Sequence, residues 1–250
     1  MKVSIITAVY NGVETIEGCI KSVVGQNYPD IEHIIIDGGS TDGTLDVIKK
    51  YGDSIAKVIS EPDSGIYDAM NKGIKLATGD VIGFLNSDDF YASNEVLEKV
   101  ADVFRKYDVD SCYGDLVYVD KNITTKVIRY WKSGEYKMDL FRYGWMPPHP
   151  TFFARKMIYD KFGCFNTNFK IASDYELMLR FLERYKISVM YIPEVLVKMR
   201  LGGKSNRSIK NIFFQSLEDY RAWTINGLKG RLRAVLLKKL RKTLQFIFKP

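Results

Sequence analysis

Asn86, Ser87, Asp88 and Asp89 close the run Asp80-Val-Ile-Gly-Phe-Leu, so two adjacent carboxylates stand where a buried strand meets solvent. Carboxylate oxygens suit hard cations such as Mg2+ or Mn2+. Mg2+ is commonly held by only one or two of them, with substrate phosphates completing its shell. Read for chemistry, the pair points to a cation and a nucleotide diphosphate. Read for structure, the same Asp-Asp-Phe leads into the helix start signalled by Asn94-Glu-Val-Leu. These residues alone support either reading.

Other acidic and polar residues occupy comparable places. Asp37 ends the run Ile34-Ile35-Ile36, where its carboxylate can accept hydrogen bonds from a base edge or ribose, or simply hold a turn. Asp68, Asn71 and Lys72 recur at three- and four-residue spacing on one helix face, suited to sugar hydroxyls or phosphate and equally to solvent. Asp174, in Ala172-Ser173-Asp174-Tyr175-Glu176, precedes an apolar helix; Ser173 as cap and two first-turn acids would account for it structurally. His149, between two prolines, is a candidate metal or phosphate ligand or a hydrogen-bonded structural histidine, whereas His33 reads as packing or surface.

These residues need a scaffold, and residues 2–90 supply its pattern. Short apolar strands at 2–8, 31–36, 56–60 and 80–85 alternate with amphipathic helices marked by Ile16, Cys19, Ile20 and Val23, by Leu45 and Ile48, and by Ala69, Met70, Ile74 and Ala77. Such alternation predicts a mainly parallel sheet flanked by helices, with the carboxyl ends of the strands along one edge. Ligands bind at that edge. Four polar loops converge there: Tyr10-Asn11-Gly12, Asp37 to Thr44, Glu61 to Gly65, and Asn86 to Asp89. Neither a G-x-G-x-x-G fingerprint after the first strand nor a Walker A sequence is present, which excludes the usual dinucleotide and P-loop sites.

Beyond residue 90 the sequence predicts a helix at about 93–106 and two hairpin-like strands, Ser111 to Val119 and Ile123 to Tyr130. An aromatic, Pro-rich loop or lid from Tyr136 to Pro150 follows, then a strand at Thr151 to Ala154, a short helix, a helix near Ser173, and strands near 187–192 and 195–200. Leu201-Gly-Gly-Lys breaks regular structure, and the remainder reads helical. The expected organisation is one domain over 1–203 with a helical extension over 204–250. The aromatics Trp131, Tyr136, Phe141, Tyr143 and Trp145 are suited either to stacking an acceptor sugar or to burial against the sheet.

The 250 residues are 46% hydrophobic and 27% charged, which excludes disorder as the main state. Three widely spaced cysteines, Cys19, Cys112 and Cys164, suggest buried thiols rather than a disulfide framework or zinc site. The opening strand is too short for a signal segment, and no stretch reaches the roughly 20 apolar residues of a membrane span, so a cytoplasmic location is expected. Of the net charge of +7, the tail carries more than all. Lys229, Arg231, Arg233, Lys238, Lys239, Arg241, Lys242 and Lys249 have no acidic neighbour over 229–250, which leaves the body near neutral and argues against nucleic-acid binding. Leu228, Leu232, Val235, Leu236, Leu240, Leu244 and Ile247 follow helical spacing between them. A basic amphipathic helix of this kind suits the inner face of an anionic membrane, a coiled-coil partner or its own domain.

Taken together, Ser4-Ile-Ile-Thr-Ala-Val-Tyr-Asn, Ile36-Asp-Gly-Gly-Ser-Thr-Asp-Gly-Thr, Ala77-Thr-Gly-Asp, Leu85-Asn-Ser-Asp-Asp and Ser173-Asp-Tyr-Glu-Leu resemble, in order and spacing, the family 2 glycosyltransferases of the GT-A type. The likeness spans residues 2–200 and is nearest the bacterial branch that builds capsule, exopolysaccharide or lipopolysaccharide. It implies a Rossmann-like α/β fold and inverting transfer from a nucleotide-diphosphate sugar, UDP first among them, to a glycan or lipid-linked acceptor, with Mn2+ or Mg2+. By the same resemblance Thr7, Ala8, Val9, Tyr10 and Asn11 line the nucleotide pocket and Asp37 binds the base. Asp88 and Asp89 divide the ribose and the cation between them, and Asp174 is the general base. Two positions depart from the family pattern: Asn86 stands where an Asp is common, and Ser173 where a Glu often precedes the base. Homo-oligomers are compatible with this reading. A sugar nucleotidyltransferase would need a glycine- and Lys/Arg-rich phosphate loop after the first strand, which is absent; a noncatalytic nucleotide- or sugar-binding module would bind without transferring.

Overall fold

Side chains alternate across a strand, so the apolar runs of this chain supply both faces of a sheet at once. Ile6, Ile34, Ile36 and Phe84 are buried in one core, and Val3, Ile5, Ile35 and Val81 in the other. The computed structural model describes residues 1–202 and 209–244. Its strands are β1 (Val3–Val9), β2 (Ile31–Asp37), β3 (Lys57–Ser60), β4 (Val81–Phe84), β5 (Asp89–Tyr91), β6 (Ser111–Val119), β7 (Val127–Trp131), β8 (Phe153–Arg155) and β9 (Val189–Arg200). Its helices are α1 (Ile16–Val24), α2 (Thr44–Lys49), α3 (Ile66–Leu76), α4 (Val96–Lys106), α5 (Lys156–Phe162), α6 (Ser173–Leu179), α7 (Ile209–Ile225) and α8 (Arg231–Leu244).

The strands form one mixed sheet in the order β3-β2-β1-β4-β8-β6-β9-β5, with β7 paired to β6. β1 to β4 are parallel, as the alternating pattern predicts. β8 runs antiparallel between β4 and β6. The first four strands therefore deliver their loops to one edge, while the later strands extend the sheet beside it.

Three expectations are corrected. Asp89 does not end a loop but begins β5, which pairs antiparallel with β9 through Asp89 and Met199. The strands expected at 187–192 and 195–200 are one strand, β9, whose register against β6 shifts on either side of Asp115. The segment 136–150 is no open lid: Phe141, Trp145 and Met146 are buried, and Trp145 Nε1 donates to the Ser133 carbonyl at 2.7 Å. Trp145 packs against the rings of Tyr113, Tyr136 and Phe141, so burial of apolar area decides its place.

Helices α7 and α8 share the main core. Trp223 is 1% exposed and donates from Nε1 to the Tyr175 hydroxyl at 2.8 Å. Lys238 pairs with buried Asp219 at 2.8 Å, and the α8 backbone at Leu237 and Lys238 passes so close to Gly144 that a Cβ there would collide with it. Ala234 and Val235 face inward, whereas Leu232, Leu236 and Leu240 are exposed. Ile247 and Lys249 lie outside the described residues, as does the boundary at 203–204. No described helix is long and apolar enough to cross a membrane.

Candidate active site

The four loops of the ligand edge are laced to one another. Asn11 donates from its backbone to Ser40 Oγ at 2.8 Å and accepts the Thr41 N–H at 2.9 Å, while Gly12 and Val13 donate to Thr44 and Asp42. Glu61 N–H donates to the Asp37 carbonyl at 3.0 Å, and Gly12 stands beside Ser87. These bonds fix a shared rim, in which Tyr10 and Asn11 are exposed and Ala8 and Val9 lie beneath.

Two residues assigned to the nucleotide by resemblance have buried side chains with partners inside the protein. Thr7 is fully buried, and its hydroxyl lies 3.0 Å from His33 Nε2 under the sheet. Asp37 is also fully buried, and its own loop uses its carboxylate. Oδ2 accepts from Gly39 N–H at 3.1 Å, Ser40 N–H at 3.0 Å and Ser60 Oγ at 2.6 Å, and Oδ1 accepts from the Ser40 hydroxyl. Asp37 therefore builds the turn that a base would meet. A buried carboxylate must find such donors, and the Gly-Gly-Ser that follows it supplies them.

Asp88 and Asp89 are not equivalent. Asp88 is partly exposed at the rim. Asp89 is fully buried; Asn86 Nδ2 donates to its Oδ2 at 2.8 Å, and its Oδ1 accepts nothing. Burial first, and then the Asp88 charge, push the Asp89 carboxyl well above the usual carboxylate range, against hydrogen bonds from Asn86 and Arg200. Arg200, the last residue of β9, donates from Nη1 to the Asp88 carbonyl at 2.6 Å and stacks over Phe90.

His149 does not complete a ligand set with this pair, for no three His, Cys, Asp or Glu among the described residues gather as a cation cage. It is buried, packed between the Phe84 and Phe165 rings, and burial lowers its pKa while the Asp174 charge opposes that shift. Two adjacent carboxylates, one with an oxygen lacking a partner, fit a cation that takes most of its ligands from phosphate and water.

Asp174 lies in the first turn of α6, partly exposed. Its Oδ1 accepts the Tyr175 N–H at 2.8 Å and lies 3.2 Å from the Tyr67 hydroxyl on α3. Ser173 does not cap the helix; its hydroxyl donates to the Asn166 carbonyl at 2.9 Å. From α7, the Glu218 carboxylate accepts the backbone N–H groups of Lys170, Ile171 and Ala172 at 2.7, 2.9 and 2.8 Å, which fixes the approach to Asp174. The Tyr118 phenol links the acidic groups: burial raises its pKa, Arg129 opposes this, and Asp89 and Asp174 both add to it. Asp89 and Asp174 thus lie within electrostatic reach of one side chain.

The α3 face has other work. Asn71 exchanges hydrogen bonds with the Phe165 backbone at 2.9 Å, Lys72 pairs with Glu61 at 2.8 Å, and Asp68 accepts the Ser64 N–H at 3.1 Å. All three brace loops. Tyr67, Tyr118, Arg129, Arg200 and Glu218 are the neighbours that the sequence did not single out. Only Arg200 carried a signal, as the charged last residue of a strand before the Leu201-Gly-Gly break.

The profile of glycosyl transferase family 2 matches residues 4–165. The chain is 27% identical over 219 residues to a PGL/p-HBAD biosynthesis glycosyltransferase of Mycobacterium bovis, covering 86% of this chain and 83% of that one. It is 33% identical over 183 residues, 71% of this chain and 68% of the other, to an uncharacterized glycosyltransferase of Mycobacterium tuberculosis. Among solved structures, S. aureus TarS in complex with UDP-GlcNAc superposes with a TM-score of 0.70 at 17% identity, over 98% of this chain and 73% of TarS. The mannosyltransferase PcManGT of Pyrobaculum calidifontis, in complex with GDP-Man and Mn2+, gives 0.67 at 15% identity, over 94% and 69%. The fold is that of the GT-A transferases, and the chain belongs to glycosyl transferase family 2.

Proposed function

We propose that the protein is an inverting glycosyltransferase that moves a sugar from a nucleotide-diphosphate donor, UDP-linked first among them, to a hydroxyl of a glycan or lipid-linked acceptor. The observation that carries this reading is that Asp174, held by Tyr67, and Asp89, the buried member of the adjacent acidic pair, both raise the pKa of the one buried Tyr118 phenol. The Asp174 carboxylate takes the acceptor's hydroxyl proton as that oxygen bonds to C1. The bond from C1 to the diphosphate oxygen breaks with its electron pair leaving on the diphosphate, and the anomeric configuration inverts. Tyr67 and the Tyr175 N–H hold Asp174 for this role.

Asp88, at the rim, would hold a Mn2+ or Mg2+ ion, with buried Asp89 behind it. When bound, such an ion supplies Lewis-acid charge to the departing diphosphate. Arg200 adds a fixed positive charge to the same loop. Tyr10 and Asn11 offer the nucleotide a wall, and Asn86 orients Asp89.

A cytoplasmic enzyme resting on the inner face of an anionic membrane agrees with the outward Leu232, Leu236 and Leu240 of α8 among Arg231, Arg233, Lys239 and Arg241. Such docking brings a lipid-linked acceptor to the site.

The deciding experiment is Asp174→Asn assayed with nucleotide-sugar donors. Transfer is expected to fall by at least about a thousandfold with nucleotide binding retained, as for loss of an essential base. Undiminished turnover would remove Asp174 from the reaction.

A further inference from the structure

Asp174 is tied to the last helix through the residue that follows it. Tyr175 donates its backbone N–H to Asp174 Oδ1 at 2.8 Å, and its buried side chain is gripped from α7 and α8. Trp223 Nε1 donates to the Tyr175 hydroxyl at 2.8 Å. Lys238 Nζ lies 3.8 Å over the Tyr175 ring while pairing with both Asp219 oxygens, at 2.8 and 2.9 Å. Asp219 is itself buried; burial raises its pKa, Lys238 opposes this, and the Asp174 charge adds to it. Arg233 holds α8 at a second point, 4.3 Å over the Tyr143 ring.

The inner side of α8 is thus part of the support of Asp174, and the outer side carries the exposed Leu232, Leu236 and Leu240. Helical form brings these three leucines into one stripe, and the same helix brings Ala234, Val235 and Lys238 to the interior. In water that helix works against its own charge. Its sequence holds no acid, and Lys238 and Arg241, three positions apart, are like-charged neighbours. An anionic surface removes that opposition. Interior and bilayer therefore ask for the same helix from opposite sides, so each contact strengthens the other.

Resting on the reading of a transferase docked through α8, we infer that an anionic bilayer regulates the site: binding the outer face of α8 secures its inner face on Tyr175 and so fixes Asp174 for proton transfer. The base is held most firmly where a lipid-linked acceptor is met, and loosens when the enzyme leaves the surface.

Hydrogen exchange on the full chain, with vesicles of phosphatidylglycerol and phosphatidylcholine against phosphatidylcholine alone, tests this without any substrate. The anionic vesicles should slow exchange of the amides at 170–177 and 231–241 by about tenfold or more, and the neutral ones should not. Lys238→Met combined with Asp219→Asn removes the pair together, so that neither charge is left buried alone. That variant should float with anionic vesicles within about twofold of the native protein and lose the slowing at 170–177. Leu232→Glu with Leu236→Glu changes exposed positions only, and should lose flotation and slowing together. Native protein that floats with exchange at 170–177 unchanged overturns the inference and leaves docking and transfer standing. Slowing that survives in the folded Lys238→Met, Asp219→Asn variant, or that survives without flotation in the leucine variant, does the same. Native protein that does not float overturns both the inference and docking, and leaves the transfer reaction to the Asp174→Asn assay.

Discussion

The hydroxyl of Tyr67, on α3, lies 3.2 Å from Oδ1 of Asp174, on α6, across 107 positions of sequence. A helix of the first half thereby steadies the carboxylate supplied by the second. Tyr67 also lies 2.7 Å from the Ile171 carbonyl, and burial first, then Asp174, pushes its phenol well above the ordinary tyrosine value. It stays a neutral donor.

Tyr67→Phe should therefore lower kcat by roughly five- to tenfold, the value of one such hydrogen bond, and leave nucleotide affinity within about twofold. Steady-state kinetics beside nucleotide titration reads the split; a fall in affinity with unchanged kcat would contradict it.

Glu218 acts at one remove. Its loss frees three backbone N–H groups just before Asp174, so Glu218→Ala should cut kcat by more than about tenfold and cost on the order of 1–3 kcal/mol in urea unfolding. Glu218→Gln, which keeps an accepting oxygen, should recover part of both.

Asp88→Asn and Asp89→Asn should part company. Asp88 is at the rim and Asp89 is interior. The first should remove the dependence of activity on added Mn2+. The second should act mainly through Asn86 and the start of β5, with a visible change in melting temperature. Metal titrations of activity beside thermal melts distinguish them.

Acid should weaken the fold over two successive pH intervals. Burial holds His33 down to about 4 from its ordinary 6.5, so the unfolded chain binds the extra proton and stability falls as pH drops through that interval. Burial pushes Glu32 up, but hydrogen bonds from Ser4, Thr78 and Lys2 outweigh it and bring the carboxyl to about 2 from 4.5. That contribution is complete above 4.5 and is lost as pH falls toward 2. Glu32→Gln should cost on the order of 3 kcal/mol at pH 7, and the gap to the native protein should narrow below pH 4.5 in denaturant titrations.

Leu232→Glu with Leu236→Glu should abolish flotation on anionic liposomes and move stability by less than about 0.5 kcal/mol, since both side chains are exposed. Equal flotation of native and variant protein would rule out docking through this face.

The first half of the fold was legible because strand and helix periods alternate cleanly there: Ile5 and Ile35 report one face, Ile6 and Ile36 the other. The acidic positions were legible as strand-end residues. Which way their side chains turn was not. Asp37 and Asp89 both look like polar strand-end residues in sequence, and both proved interior, one satisfied by its own turn and one drawn inside by a strand pairing 110 residues away. Asn71 and Lys72 showed the same limit, since a polar helix face gives no sign of whether solvent, ligand or a distant loop will meet it. Trp145 and Phe141 were placed by burial that no local pattern announces.

Trp223 and Glu218 sit on the helix that follows the last strand, yet one completes the interior beside Tyr175 and the other grips the turn leading to Asp174. A fragment ending after β9 would keep every acidic loop residue and still be incompetent, with a raw apolar flank where α7 had rested. Minimal catalytic units of this protein must be cut by shared interior, and not by the reach of the recognisable motifs.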